Sequence, residues 1–367
     1  MLNNSYTSIG LMSGTSLDGL DMAYCRFWQE GSKWEYQILK ATCLEYPNEL
    51  FLKLKNAKGM SGEELAKLDI DYGKWLADVV NSFIFKENIK PDFIASHGHT
   101  VFHQPENSIT LQVGSGNEIF VKCAIPVVCN FRQLDVALGG QGAPLVPIGD
   151  KLLFGDFDFC LNLGGIANIS TNLLGKRIAY DIVPVNILLN HQAARANMTY
   201  DNGGSLASQG SIIEKLLVQL EALDFYKTSF PKSLGSEWIE ENILSIKGFD
   251  HHPPENILRT YIEHIASRIS SEIIALSDND PNLIQKILVT GGGAWNTYLI
   301  NTLKKKLGDK YDVLVPNKDL VNFKEALIFA FLGLLRIKSL NNCLASVTGA
   351  SRDNCGGVII SSQNIIL

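Results

Sequence analysis

The sequence predicts an α/β protein of two related lobes, and three observations carry this. A pattern of strand, Gly turn, strand, strand occurs twice, starting near Tyr6 and again near Phe157. A layout repeated in this way marks a duplicated unit. The second half alternates strand-like and helix-like runs, as α/β sheets do. The chain is also 367 residues long, enough for about two ordinary domains.

The elements follow in order. Tyr6–Met12, Leu20–Trp28 and Trp34–Ala41 read as a β-meander. Ser61 and Glu64 form a capping box, and the helix after them aligns Leu65, Leu68, Tyr72, Trp75, Leu76, Val79 and Phe83 on one stripe. Pro91 ends that helix. Phe93–Ser96 is a short buried strand and Val121–Val128 a further apolar run. Phe157–Leu163, Ile166–Asn172 and Arg177–Asp181 then repeat the meander around Gly164-Gly165. Ser211–Leu223 and Pro254–Leu276 read as helices and Ile287–Val289 as a strand. Tyr298–Leu307 is helical, Val313–Val315 a strand and Phe323–Lys338 a helix. No linker is rich in Pro or Ser, so the lobe boundary is soft. It is placed at residue 128, giving an N-lobe of 1–128 with 340–367 and a C-lobe of 129–339.

Composition excludes several classes. Apolar residues make up 46%, charged residues 19%, and mean hydropathy is +0.07, values of a folded globular chain rather than a disordered one. The net charge of −6 argues against a broad nucleic-acid interface, which needs clustered Lys and Arg. Seven cysteines without a C-x-x-C make neither a disulfide framework nor a zinc site. No run approaches a bilayer span, and Met1–Ser5 does not begin a signal peptide. The expected compartment is the cytoplasm, with no membrane partner.

Nucleotide motifs of the P-loop and Rossmann kinds are absent. What remains is a set of Gly-rich turns at strand ends. Gly10 to Asp21 contains Ser13, Gly14, Thr15, Ser16 and Asp18. It either forms a plain hairpin turn or holds phosphate oxygens, with Asp18 toward Mg²⁺. Asn162-Leu163-Gly164-Gly165 occupies the same place in the second lobe, and by itself reads as a Gly-Gly hairpin. Gly291-Gly292-Gly293 leads through Asn296 into a helix, and either permits close approach of a flat ligand or makes a tight turn. His97, His99 and His103 invite a metal reading, but no Cys or carboxylate joins them. A hydrogen bond from His97 to a sugar fits better. His251-His252 reads as an exposed loop.

These turns, with His97-Gly98-His99-Thr100-Val101, Asn130-Phe131-Arg132-Gln133-Leu134-Asp135, the Gly139–Pro147 stretch and Ser346–Ala350, resemble the anhydro-N-acetylmuramic acid kinases. The motifs run in family order from residue 10 to residue 350. The resemblance implies the two-lobed actin-like ATPase (ribonuclease H-like) fold, with ATP in a cleft between lobes. It implies ATP contacts at Gly10, Ser13, Gly14, Thr15, Ser16, Asn162, Gly164, Gly165, Gly291, Gly292, Gly293 and Asn296. It casts Asp181 as the base that activates water, Glu325 as a second carboxylate, and Asp18 as serving Mg²⁺ or the attacking oxygen. The sugar would meet His97, Thr100, Arg132, Asp135 and Asn186, with Arg132 facing its lactyl carboxylate. Read from the residues alone, Arg132 would equally pair with Asp135, and Glu325 is a first-turn helix Glu. The partners implied are ATP and a small anhydro amino sugar, and the state a homodimer.

The chain departs from the family pattern in places. Two family glycines flanking Pro184 are Val183 and Val185, and the family's Thr and Arg in a second loop are Leu234 and Ser236. The family's Gln after His97-Gly98 is His99, and its Asp before Phe131 is Asn130. A β-branched residue resists positive φ, and its side chain would intrude on the sugar. Two other readings follow from these changes: a relative that binds sugar or nucleotide without turnover, and a kinase for another sugar.

Overall fold

The computed structural model describes residues 5–14, 17–249, 251–278, 280 and 283–362. The chain divides into two units, Met1–Phe154 with Phe323–Leu367 and Gly155–Asn322.

In the first unit β1 (Tyr6–Ser13), β2 (Leu20–Glu30) and β3 (Lys33–Leu44) form an antiparallel meander. β4 (Phe93–Ser96) lies parallel to β1 on its other side. β5 (His99–Gln104) and β6 (Ile109–Val113) make a separate hairpin. β7 (Val127–Cys129) continues the main sheet parallel to β4. In the second unit β8 (Phe159–Leu163), β9 (Ile166–Leu173) and β10 (Lys176–Pro184) repeat the meander. β11 (Gln285–Thr290) and β12 (Tyr311–Leu314) follow in parallel. β13 (Val358–Ile360) then adds an antiparallel edge to β7 in the first sheet.

Setting β13 aside, both sheets run third–second–first–fourth–fifth, and in both only the second strand opposes the others. That is the ribonuclease H-like order, present twice. Parallel strands inside such sheets are covered on both faces. Accordingly every residue of β4 and β7 is buried. Each unit has its own apolar core.

Local chemistry places the helices. At Gly62–Glu87 both capping-box bonds form, and left-handed Asn88 ends the helix. Pro254–Leu276 spans the predicted residues. The last long helix begins at Lys318 rather than Phe323 and bends at Phe323 (φ −118°). It lies close on the first sheet because the contact residues are small. A Cβ on Gly10 would strike the Ala326 carbonyl, and one on Gly333 would meet Ala95 and Phe93.

The units divide at 154/155 and 322/323, whereas the sequence places the boundaries at 128/129 and 339/340. Residues 129–154 stay with the first unit for three physical reasons. β7 pairs with β4 and β13. Phe154 packs edge-on against Tyr36 of β3. Asp135 is hydrogen-bonded to Cys343, Thr348 and Asn354.

Candidate active site

The first unit supplies charge. Its β1–β2 turn is closed by Leu17 N–H donating to the Gly14 carbonyl at 3.2 Å. Thr15 and Ser16 lie outside the described residues. Asp18 is exposed. Burial raises the Asp21 carboxyl above its ordinary range and the Asp18 charge adds to this, while a Cys43 hydrogen bond opposes it. Two expected ATP contacts are placed elsewhere. Gly10 is a helix-packing position in mid-strand, as above. Ser13 is buried: its hydroxyl accepts from Tyr46 at 2.7 Å and meets His99 Nδ1 at 3.0 Å. Its side chain therefore faces the core. Burial pushes His99 down to about 4.

Arg132 and Glu325 form the second part. Arg132 donates through Nε and Nη2 to His97 Nε2, at 3.0 and 2.9 Å, and through Nη1 to the Gly142 carbonyl at 2.7 Å. Burial lowers it to about 10, with the Glu325 charge opposing, so it remains cationic at neutral pH. Glu325 keeps contact with solvent, yet crowding by protein atoms raises its carboxyl, against the pull of Arg132 and Lys324. Lys324 itself pairs with buried Asp150 at 2.7 Å.

Two expected sugar contacts are corrected here. His97 has both ring nitrogens engaged, Nδ1 with the Gly98 carbonyl at 2.8 Å and Nε2 with Arg132. Asp135 is fully buried and does not pair with Arg132. Its oxygens accept from Cys343, Thr348, Asn354 and the Gly142 amide. Thr100 is half-buried beside Gln112, at 3.4 Å. Among the described residues no three His, Cys, Asp or Glu side chains gather as a metal cluster.

The second unit supplies a carboxylate and a pocket. Asp181 stands where β10 slips register against β9, the pairing passing from Asp181–Asn168 to Val183–Ala167. A bulge of this kind re-aims a side chain. The Asp181 amide donates to the Lys232 carbonyl at 3.2 Å, and Oδ2 accepts from the Leu234 amide at 2.9 Å. Burial raises its pKa, with the Leu234 bond opposing. Oδ1 has no protein partner among the described residues. Val183 and Val185 do not intrude: both are wholly buried, neither has positive φ, and Val185 sits at −123°. The β-branched side chains have entered the core.

The carbonyls of Gly164 and Gly165 accept from the amides of Val185, Asn186 and Ile187. This ties the β8–β9 turn to the helix Asn186–Arg195. Gly291 has φ +82°, and a Cβ there would meet Asn162 Oδ1 and the Leu163 backbone. Gly293 is equally close to Leu163, whereas Gly292 has room. Asn296 caps the helix Thr297–Leu307 by accepting from the Leu299 amide at 3.0 Å. A pocket of about 610 Å³ opens here, lined in part by Asn186, Tyr200, Gly292, Gly293, Trp295, Asn296 and Lys318. Asn186, expected at the sugar, thus shares a pocket with the Gly-rich turn.

The loop with the departures at Leu234 and Ser236 includes the strap at Lys232–Leu234, whose pairing to Glu272 and Asp181 is not legible in the sequence. Lys232 pairs with Glu272 at 2.7 Å and lies over Tyr180, which seats the backbone that holds Asp181. Sequence reasoning missed Tyr200 and Lys318, which line the pocket with no local pattern to mark them.

Two ribonuclease H-like sheets in one chain define the fold class of the actin-like ATPases and sugar kinases. The family model described as anhydro-N-acetylmuramic acid kinase matches residues 6–362. A protein of that name from Francisella tularensis subsp. novicida is 33% identical over 367 residues, covering 93% of this chain and 95% of that one. Another, from Shewanella sp. strain MR-4, is 35% identical over 374 residues, with 96% and 97% covered. Among solved structures, component A of the Acidaminococcus fermentans (R)-2-hydroxyglutaryl-CoA dehydratase superposes with a TM-score of 0.42 at 12% identity, covering 89% of this chain and 97% of that one. The chain belongs to the anhydro-N-acetylmuramic acid kinase family.

Proposed function

We propose that this chain opens the ring of 1,6-anhydro-N-acetylmuramic acid with water and phosphorylates its O6 from ATP. The product is N-acetylmuramic acid 6-phosphate, for peptidoglycan recycling. Water adds at C1 and gives up a proton, the C1–O6 bond breaks, and O6 displaces ADP from the γ-phosphorus.

Asp181 is the observation that carries this reading. One oxygen is fixed by the Leu234 amide, the other is unengaged, and burial raises the pKa toward the working range of a general base. Asp181 therefore takes the water's proton. Glu325 orients the water or polarises the sugar. Arg132 meets the lactyl carboxylate, and Thr100 lies on the sugar side. The pocket at Gly292, Trp295 and Asn186 suits adenosine, being of ordinary ligand size. Phosphate binding is assigned to the Gly-rich turns, Gly14 with Thr15 and Ser16 in one and Gly164-Gly165 in the other. Mg²⁺ in phosphoryl-transfer sites is held by one or two carboxylates plus phosphate oxygens; exposed Asp18 fits that role, and the ion would neutralise phosphate charge. The proposal extends to a cytoplasmic homodimer. No helix of the described residues is long and apolar enough to cross a membrane.

The reading as a binding protein without turnover drew on Val183 and Val185 and on the missing Arg at Ser236; burial of the two valines removes the first of these arguments. The test is ADP release with anhydrosugar, ATP and Mg²⁺, with mass spectrometry of the product. The expected product is heavier by one water and one phosphoryl group, and is lost in Asp181→Asn. Calorimetric binding without turnover would overturn the reading.

A further inference from the structure

Two residues expected to touch the sugar, His97 and Asp135, are placed behind a third, Arg132. The Gly98 carbonyl only accepts, so His97 Nδ1 carries the proton in their 2.8 Å bond. Guanidinium groups only donate, so His97 Nε2 is the acceptor for both Arg132 bonds. The imidazole is thereby fixed as one neutral tautomer. Its ring rests on Phe329, with centroids 4.6 Å apart, which sets its tilt. On the other side Gly142 links Arg132 to the Asp135 carboxylate: its amide donates to Asp135 at 2.8 Å, and its carbonyl, in the next peptide group, accepts from Arg132 at 2.7 Å. Three of the five Arg132 N–H groups are used, all on neutral acceptors. Among the described residues no carboxylate lies within ion-pair distance of Arg132.

We infer that His97 and Asp135 are positioning residues that hold the Arg132 fork in one orientation, with two N–H groups, outside any hydrogen bond among the described residues, kept for an anionic ligand. The Glu325 charge acts on the guanidinium only from beyond ion-pair distance. A neutral imidazole acceptor aligns the guanidinium without cancelling its charge, as a carboxylate in that place would. Planar bidentate recognition gains from such alignment. Asp135 contributes through geometry, by fixing the backbone of Gly142. The inference rests on the assignment of Arg132 to the lactyl carboxylate and deepens it.

The experiment compares 1,6-anhydro-N-acetylmuramic acid with 1,6-anhydro-N-acetylglucosamine, which lacks the lactyl ether. His97→Phe keeps the ring on Phe329 and removes the acceptor. His97→Gln restores an acceptor near the Nε2 position. His97→Phe is expected to raise KM for the carboxylated sugar by about ten-fold or more, the scale of a hydrogen bond to a charged group. kcat, and both constants for the lactyl-free sugar, should stay within about two-fold. His97→Gln should recover most of the loss. Equal effects on both sugars, or no recovery with Gln, overturn the positioning role. If His97→Phe does not fold by thermal melt, the comparison of wild type with His97→Gln decides, since Gln must then retain the preference for the carboxylated sugar. Arg132→Lys separates the two levels. If it leaves discrimination between the sugars unchanged, the assignment of Arg132 itself fails. If discrimination collapses in Arg132→Lys but not in His97→Phe, only the inference fails.

Discussion

The β1–β2 turn and the β8–β9 turn occupy the same topological position in two sheets of one strand order, yet they are built for different tasks. The first carries an exposed Asp18. The second is Gly164-Gly165, whose carbonyls are consumed by the following helix start. Beyond the turns the contrast continues. The first unit collects Asp21, Arg132 and Glu325, whereas the second offers one strapped carboxylate and a pocket floored by glycine. Duplicating a sheet order therefore copies the places where chemistry can sit, while side chains at those places decide what it is.

The contrast is tested most severely at Asp181. Replacement by Asn should lower kcat by about 10²–10⁴, the usual range for a lost general base, with little change in melting temperature. A smaller loss than with Glu325→Gln, measured in the same ADP-release assay, would move the base to the first unit. Next come the buried valines. Val183→Gly and Val185→Gly restore the family pattern, but each should destabilise by about 2–4 kcal/mol, from lost apolar burial and added chain entropy. Urea titration reads the loss, and a gain in kcat would contradict the packing account. Among the glycines, Gly291→Ala should cost about 1–3 kcal/mol by strain and overlap. Gly292→Ala should fold normally and raise KM for ATP by a few-fold. Equal behaviour of the two would break the distinction between packing and pocket positions.

The smallest effect is in pH. Asp181 has a raised pKa, so the acid limb of kcat/KM should fall above the ordinary Asp value of 3.8, activity rising as the carboxylate forms. Stability moves oppositely. The folded state holds this proton more tightly than the unfolded chain, so its contribution is full below 3.8 and declines as pH rises through the raised pKa. A kcat/KM profile and a melting series from pH 4 to 8 check both signs.

Much of the fold was legible because local signals agreed with the global one. The Ser61–Glu64 capping box, the stripe along Gly62–Glu87 and the span Pro254–Leu276 each have the pattern their element requires. The β5–β6 hairpin was not legible, since its pairing slips between Thr100 and Phe102 and blurs the two-residue period. In the site, residue types were readable but their direction was not. Ser13, His97 and Asp135 look like ligand-facing residues in a linear sequence. They turn inward because Tyr46, Arg132 and the 343–354 segment are waiting there, contacts that join residues 33 to 219 positions apart. The reverse error occurs at Val183 and Val185, where bulk that reads as obstruction is core.

β13 and the helix Lys318–Ile337 carry a consequence for biosynthesis. The second unit is one continuous stretch, Gly155–Asn322, whereas the first needs Phe323–Leu367 to finish its sheet and cover β1. A ribosome therefore releases all of the second unit before the first has its closing strand. Until then the newly made amino-terminal meander waits with an apolar face open, a state that invites chaperones and aggregation. Slow translation near the end of the message would lengthen that exposure.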